Sequence, residues 1–274
     1  MNRYFIRDIA VLAGITALVA VASFGIYHLA TGGKDKNTSS AAVPASLEMK
    51  LKELFKKEVS RDSKIIHSTA ADKAFAAMVK RFAANETNLN YDIEVMIIDS
   101  SVVNAFTFPG GLIVVTTGLI KEADSAEEAA AVIAHEMGHV VHRDSMNALA
   151  RNVGLAVLFS LGGDSTGAVR DIVRQLISNK FTQTQEKAAD DYATALLARS
   201  KLNPVHIADF FKKLQNTRTK QAEAILKYVG THPETAERIR RAEEHAKTFV
   251  GPEKKLGIDW RKVKRSLPSM MDAD

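Results

Sequence analysis

The sequence of 274 residues contains no cysteine and only one tryptophan. Without a thiol, the chain cannot form a disulfide, use a cysteine nucleophile or carry a lipid on an N-terminal cysteine. Any metal must therefore bind through histidine, glutamate or aspartate. The lack of cysteine does not assign a compartment, because reducing and oxidising compartments both contain cysteine-free proteins.

Strong charge is also missing, since the formal net charge is +5 and the sequence pI is about 9.2. Hydrophobic residues make up 46% of the chain and charged residues 25%, which is typical of a globular protein with one good core. A basic cluster at residues 261–265 is expected to be solvated, or to contact anionic lipid. No aromatic residues alternate with these basic ones, so we expect no nucleic-acid partner.

The one long apolar run is at residues 9–30, after a short basic N-terminus at residues 1–8. Because about 20 apolar residues span a bilayer as a helix, we expect a signal anchor with the rest of the chain outside the cytoplasm. A cleaved signal peptide is the alternative, since small residues stand at 20–22 and 40–42. A buried core helix does not fit the terminal position and basic flank. Residues 31–44 have the composition of a linker.

Hydrophobic periodicity predicts an α+β protein that is mostly helical and has one small sheet. Strands are predicted at residues 91–98, 102–108 and 112–117, with a turn at Pro109-Gly110-Gly111 between the last two. Helices are predicted at residues 47–58, 70–84, 152–161, 168–178, 184–198, 204–214 and 234–247, with a shorter one at 222–229. Residues 162–167 are expected to form a loop, and residues past 247 to be irregular.

A His-Glu-x-x-His motif occupies residues 135–139 inside an apolar run long enough for a helix. His135 and His139 are four residues apart, so a helix directs both imidazoles to one side, where they can bind a metal. Glu136 lies at the edge of that face, where its carboxylate can take a proton from water. Ser125 and Glu128 predict a capping box at the start of this helix. Chance histidines in a buried helix are the alternative interpretation.

A third metal ligand is not obvious from local spacing. One common zinc pattern would place glycine at 142 and histidine at 145, but the sequence has His142 and Ser145. His142 shares the helix face, yet it lies about 10 Å from His135 along the axis, so we expect it outside the ligand set. Glu186 is a better candidate, and Asp190 lies four residues later on the same helix face. Without the upstream motif, both acids would be interpreted as ordinary exposed residues.

Five stretches in order resemble the M48 family of zinc metallopeptidases: residues 104–111, 117–120 and 135–139, the Glu186-x-x-Ala189-Asp190 segment, and residues 231–239. The resemblance implies a zincin-like domain that binds one Zn²⁺ per chain through His135, His139 and Glu186. It further implies that Glu136 is the general base and that Asp190 accepts a hydrogen bond from a ligating imidazole. For His232 it implies oxyanion stabilisation, although a helix-start histidine bonded to backbone is an equal alternative.

The resemblance covers roughly residues 47–247, so we expect a peptidase domain at residues 45–250 and a basic tail at 251–274. It is similar to the bacterial envelope branch of the family. This implies anchoring in the inner membrane facing the periplasm, or secretion to the periplasm if the N-terminus is cleaved. The sequence departs from the family where an arginine often precedes the glutamate, because Gln185 precedes Glu186 here.

Substrate binding is expected along the predicted strand at residues 102–108, through Asn104, Ala105 and Phe106. An extended peptide could pair with this strand by backbone hydrogen bonds, which favours unfolded or misassembled proteins as substrates. Two alternatives remain open. One is a non-proteolytic, zinc-stabilised chaperone or scaffold, against which the presence of Glu136 argues. The other is a latent protease whose site is covered by residues 162–167 or by the tail.

Overall fold

The computed structural model describes residues 43–86, 89, 92–153, 166–216, 231–232 and 236–268. The helices are α1 Ala45–Asp62, α2 Thr69–Ala83, α3 Thr117–Glu122, α4 Ala126–Val141, α5 Asp144–Val153, α6 Thr166–Ile177, α7 Gln183–Arg199, α8 Val205–Asn216, α9 Ala236–Lys247 and α10 Trp260–Arg265. The strands are β1 Glu94–Ile98, β2 Ala105–Phe108 and β3 Leu112–Thr116.

These elements confirm the predicted α+β class with one small sheet. The predicted membrane segment at residues 9–30, most of the linker and the short helix at 222–229 lie outside the described residues. Within the described ranges, no helix is both long and apolar enough to cross a bilayer.

The three strands are arranged in the order β1-β3-β2. β1 pairs with β3 in parallel and β2 pairs with β3 antiparallel. The predicted turn joins β2 to β3, and both Gly110 and Gly111 have φ of 80° there. A Cβ on Gly110 would lie 2.7 Å from the carbonyl oxygen of Glu48 in α1, so the turn also needs glycine for close packing. Because β3 lies between β1 and β2, β2 forms one edge of the sheet.

The sheet separates two hydrophobic layers, because successive side chains of a strand point to opposite faces. On β3, Ile113 and Val115 pack in the cluster that includes α4, whereas Leu112 and Val114 pack in the cluster that includes α1 and α6. α4 is buried throughout residues 126–140, as expected for a helix that is apolar all round. The His-Glu-x-x-His motif therefore lies in the centre of the domain.

The sequence pattern did not predict the helix that directly follows the motif, and residues 154–161 of the helix predicted there lie outside the described residues. α5 occupies Asp144–Val153, whereas the sequence pattern predicted a helix starting only at residue 152. Arg143 adopts a left-handed φ of 55°, which ends α4, and a new helix begins at the next residue. The break consists of His142 and Arg143, and because it contains no glycine or proline, turn signals do not reveal it.

The C-terminal segment is irregular over residues 248–259, as expected, but the prediction is wrong further on, because Trp260–Arg265 form α10. Trp260, Val263 and Leu267 are buried in the same core cluster as α2 and α4. The Trp260 indole N–H donates a hydrogen bond of 2.8 Å to the carbonyl oxygen of Ala123, and its ring meets Phe75 edge-on at 6.2 Å. Arg261, Lys262 and Arg265 stay exposed, as expected for the basic cluster.

Replacing Trp260 by alanine should lower the free energy of unfolding by about 3–5 kcal/mol, because it empties a packed site and leaves the Ala123 carbonyl unpaired. Urea unfolding followed by far-UV circular dichroism would measure the change. Arg261→Ala, at the exposed neighbouring position, should change the same free energy by less than about 0.5 kcal/mol. Equal effects of the two substitutions would show that α10 adds no core packing.

Candidate metal centre

Helix α4 begins with a cap close to the predicted one. The Ser125 hydroxyl accepts a hydrogen bond of 3.1 Å from the Glu128 N–H. The Glu128 carboxylate accepts from the N–H of Asp124, rather than from that of Ser125 as in a regular capping box. The cap sets the helix register, so His135 and His139 lie on successive turns of one face.

Helices α4 and α7 approach each other closely because small residues meet at their contact. A Cβ added to Gly138 would lie 2.8 Å from the Cα of Ala189, so only glycine fits at this position of α4. Ala189 and Ala193 of α7 are fully buried. This contact places Glu186 of α7 directly over the two histidines of α4.

Four buried side chains converge on one point: His135, His139, Glu186 and His232 each offer a ligand atom within 4.8 Å of the others. The Nε2 atoms of His135 and His139 are 3.2 Å apart. Glu186 Oε2 lies 3.4 Å from His135 Nε2, and Glu186 Oε1 lies 3.6 Å from His139 Nε2. Ligands at about 2.0–2.1 Å from a tetrahedral zinc are about 3.3 Å from one another, so these separations fit such an ion.

The protonation pattern of the two imidazoles also fits a cation. His139 Nδ1 is 2.8 Å from an oxygen of Asp144, and His135 Nδ1 is 3.0 Å from an oxygen of Asp190. A carboxylate beside Nδ1 keeps the proton on that nitrogen, so Nε2 presents a lone pair. Two lone pairs that face each other at 3.2 Å repel unless a positive ion lies between them.

The buried charges of the centre also indicate that it binds a cation. Glu136, Glu186, Asp144 and Asp190 are buried carboxylates, whereas Arg238 is the one buried guanidinium among the described residues around them. Burial of excess negative charge is costly unless a cation offsets it. Burial alone would lower the pKa of His135, but without a metal the Asp190 and Glu186 carboxylates outweigh it and raise that pKa to about 10, so that a proton supplies the positive charge until a metal replaces it. The donor set therefore fits a divalent metal.

Arg238 of α9 fixes the two acids of α7. Its Nε donates to Asp190 Oδ2 at 2.7 Å, and a second guanidinium nitrogen lies 2.8 Å from Glu186 Oε2. Burial would raise the pKa of Asp190, but hydrogen bonds from Arg238 and His135 lower it to about 2. Both acids are thus held ionised and in a fixed orientation.

Glu136 lies in the same pocket but outside the four converging groups. It is fully buried, and neither carboxylate oxygen has a hydrogen-bond partner among the described residues. Burial raises its pKa above the ordinary value for glutamate. His232 Nε2 lies 3.6 Å from Glu136 Oε1, so His232 links the carboxylate to the cluster.

The structure thus brings His135, Glu136, His139, Glu186, Asp190 and His232 together. His142 caps the end of α4, is exposed and packs its ring against Tyr192, away from the cluster. Asn104 and Phe106 line a neighbouring groove of about 550 Å³, but Ala105 is fully buried. A peptide can therefore pair along Ala105 only if the groups that bury this strand move away.

Besides Arg238, sequence reasoning missed three further side chains that support the cluster. Asp144 fixes His139, the Gln185 amide donates to the second oxygen of Asp144 at 2.8 Å, and the Phe181 ring stacks on His139 at 3.9 Å. Gln185 stands at the sequence position before Glu186, where members of the family often have an arginine. It also closes a capping box with Thr182, and that Thr-x-x-Gln spacing was a readable signal. Asp144 and Phe181 had no comparable signal.

Comparison with known proteins agrees with this geometry. Residues 69–246 match the model of peptidase family M48. The chain is 24% identical over 260 residues to the beta-barrel assembly-enhancing protease of Yersinia pestis, covering 86% of this chain and 51% of that protein. It is 27% identical over 213 residues to the mitochondrial metalloendopeptidase OMA1 of Arabidopsis thaliana, covering 76% and 42%.

A third relative is metalloprotease LoiP of Escherichia coli K12, which is 33% identical over 146 residues, covering 50% of this chain and 56% of that protein. The chain spans about half the length of the curated relatives that it matches.

Asp144→Asn should weaken metal affinity about 10- to 100-fold, because an amide no longer holds the His139 tautomer as a carboxylate does. Competition with a chromogenic chelator at pH 7 would measure the affinity for zinc. Asp191→Asn is the matched control, since Asp191 is exposed on α7 and pairs with Arg241 outside the cluster. Unchanged zinc affinity in Asp144→Asn would remove Asp144 from the metal centre.

Proposed function

Because the chain belongs to peptidase family M48, we propose that it is a zinc-dependent endopeptidase in which His135, His139 and Glu186 bind the metal. The observation that carries this proposal is the tetrahedron-like spacing of their nitrogen and oxygen atoms around one point. Two imidazoles and one carboxylate favour zinc over magnesium or calcium, which prefer oxygen ligands alone.

A metal bound in this centre supplies Lewis acidity, which polarises a peptide carbonyl and lowers the pKa of water. Glu136 then takes a proton from the attacking water and delivers it to the leaving nitrogen, so one carboxylate serves as base and acid in turn. Burial raises the pKa of Glu136, which makes its carboxylate a stronger base than that of a solvated glutamate. Asp190 and Asp144 keep the two imidazoles in the tautomer that presents Nε2.

Unfolded or misassembled envelope proteins are the proposed substrates. One relative is named for enhancing the assembly of β-barrels, which supports this class. The position of β2 at the edge of the sheet supports binding of an extended chain, which depends on backbone groups more than on side chains. In this proposal residues 9–30 tether the domain to the inner membrane on its periplasmic side, or direct it to the periplasm if they are cleaved.

A second candidate function is a peptidase that stays latent until its centre opens. His135, Glu136, His139, Glu186 and His232 are each at most 2% exposed. His232 Nδ1 lies 2.9 Å from Glu186 Oε1 and 3.3 Å from His135 Nε2, so it fills one corner of the cluster. A catalytic metal requires an open corner, and this observation favours latency.

The described part of the C-terminal tail offers no support for the idea that the tail covers the site. Its polar contacts are with residues such as Lys121, Ala123 and Glu127, at the start of α4 and before it. Residues 162–165 of the proposed covering loop lie outside the described residues. The non-proteolytic scaffold gains no support from Glu136, since a structural site does not need a base.

Digestion of casein by the full-length chain should be abolished in Glu136→Gln while zinc content stays near one ion per chain, because the substitution removes the base and leaves the ligands. Initial rates and metal analysis on both proteins would measure this. Zinc binding by both proteins with cleavage by neither would favour the latent or scaffold function. Absence of zinc from both would contradict the proposed metal site.

His232→Ala separates the two roles considered for His232. If His232 stabilises the oxyanion, kcat should fall about 10²- to 10³-fold with little change in KM. We expect this fall, measured with a quenched-fluorescence peptide. A rise in kcat would instead assign His232 the role of closing the centre.

A further inference from the structure

The groove of about 550 Å³ beside the cluster has two different walls. One wall is formed by the ends of the strands and includes Val102, Asn104 and Phe106. The other wall is formed by the connection from α6 to α7 and includes Ile177 and Lys180.

The second wall leads directly to the centre. Phe181, which follows Lys180, stacks on the ring of His139. The Phe181 N–H also donates to the carbonyl oxygen of Thr231, the residue before His232. Lys180 and Thr231 both line the groove, so each is one residue away from a side chain in contact with the cluster. A peptide in the groove would therefore lie near the reacting bond.

The groove is mostly apolar, with Val102, Phe106 and Ile177 among its lining residues. Asn104, one of the lining residues, is only 4% exposed, and its side-chain oxygen is buried without a hydrogen-bond partner among the described residues. A buried acceptor without a partner is costly, and a backbone N–H of a bound peptide would satisfy it. This observation supports a peptide as the occupant.

Charge in the described lining comes from Lys180 alone, and none of the described lining residues is an acid. Lys180 is exposed, and within the described ranges no carboxylate lies within ion-pair distance of its ammonium group. Some other cations, such as Arg241 and Lys212, pair with an acid of the domain, but they lie outside the lining of the groove. An acidic side chain on the substrate would complement the free charge of Lys180.

We propose that Lys180 gives the peptidase a preference for substrate segments that carry an acidic side chain next to apolar ones, close to the cleaved bond. This inference rests on the proposed peptidase function. Lys180 acts on selection of the substrate and takes no part in the chemical step. A partly exposed ion pair in such a groove is expected to favour an acidic over a neutral peptide by about three- to tenfold at low salt.

The test uses peptides of one apolar sequence in which a single position carries glutamate, glutamine or lysine, with that position moved along the sequence. Cleavage by the full-length chain gives kcat/KM for each peptide. Binding of the intact peptides to Glu136→Gln, followed by fluorescence anisotropy, gives the same preference without cleavage. Cleavage thus tests the peptidase, and binding tests Lys180 independently.

The glutamate-to-glutamine ratio is expected to be above one for the unaltered chain at one or more positions and to fall as salt is raised. Lys180→Arg should keep this ratio, Lys180→Gln should bring it to about one, and Lys180→Glu should turn the preference towards the lysine peptide. Arg174→Gln, which removes the same charge from an exposed position on α6 outside the groove lining, should leave the ratio unchanged.

Circular dichroism and zinc content of each variant would confirm that it is folded and loaded. A ratio near one in the unaltered chain at every position, or a ratio that Lys180→Gln and Arg174→Gln lower equally, would overturn the proposal. Binding that follows the expected ratios without cleavage of any peptide would support Lys180 and contradict the proposed peptidase.

Discussion

The arrangement of this domain depends on several carboxylates that are buried around two imidazoles. Glu136, Glu186, Asp144 and Asp190 bring more negative charge into the core than Arg238 offsets. Such a group is stable only if a cation completes it, because the cost of desolvating a charge is otherwise not recovered. The excess negative charge thus makes folding less favourable and at the same time creates the affinity for a divalent metal. The carboxylates also set the tautomers of the two imidazoles.

Two kinds of packing hold these charges in place. Gly138 and Ala189 let α4 and α7 come close enough for Glu186 to reach both histidines. Arg238 then connects α9 to α7, and its guanidinium lies 4.6 Å from the ring centroid of Phe211 in α8. Elements far apart in the chain are therefore coupled through the centre. The groove beside β2 is lined by Lys180 and Thr231, which are each one residue away in sequence from a side chain of this centre, so the proposed peptide site would lie next to it.

Local signals predicted much of the fold. The capped, apolar helix with histidines four residues apart was recognised from spacing alone, and the Pro-Gly-Gly turn identified the hairpin. The signals failed where structure changes without a marker residue, as at Arg143, and where a helix is only one or two turns long, as at Trp260. Trp260, Val263 and Leu267 do follow helical spacing, but the basic residues between them gave the segment the composition of a solvated tail.

The sequence by itself determined that any metal would bind through His, Glu or Asp, and that His135, Glu136 and His139 lie on one helix face. The ligand types follow from the lack of cysteine, and the shared helix face follows from helical periodicity, which is a local property. Glu186 was a candidate from the sequence, and resemblance to a family assigned it as a ligand and suggested a catalytic role for His232. Packing of the folded chain is what brings Asp144, Gln185 and Arg238 to this centre. These residues come from separate elements, and their meeting depends on how closely the helices pack, which no local pattern encodes.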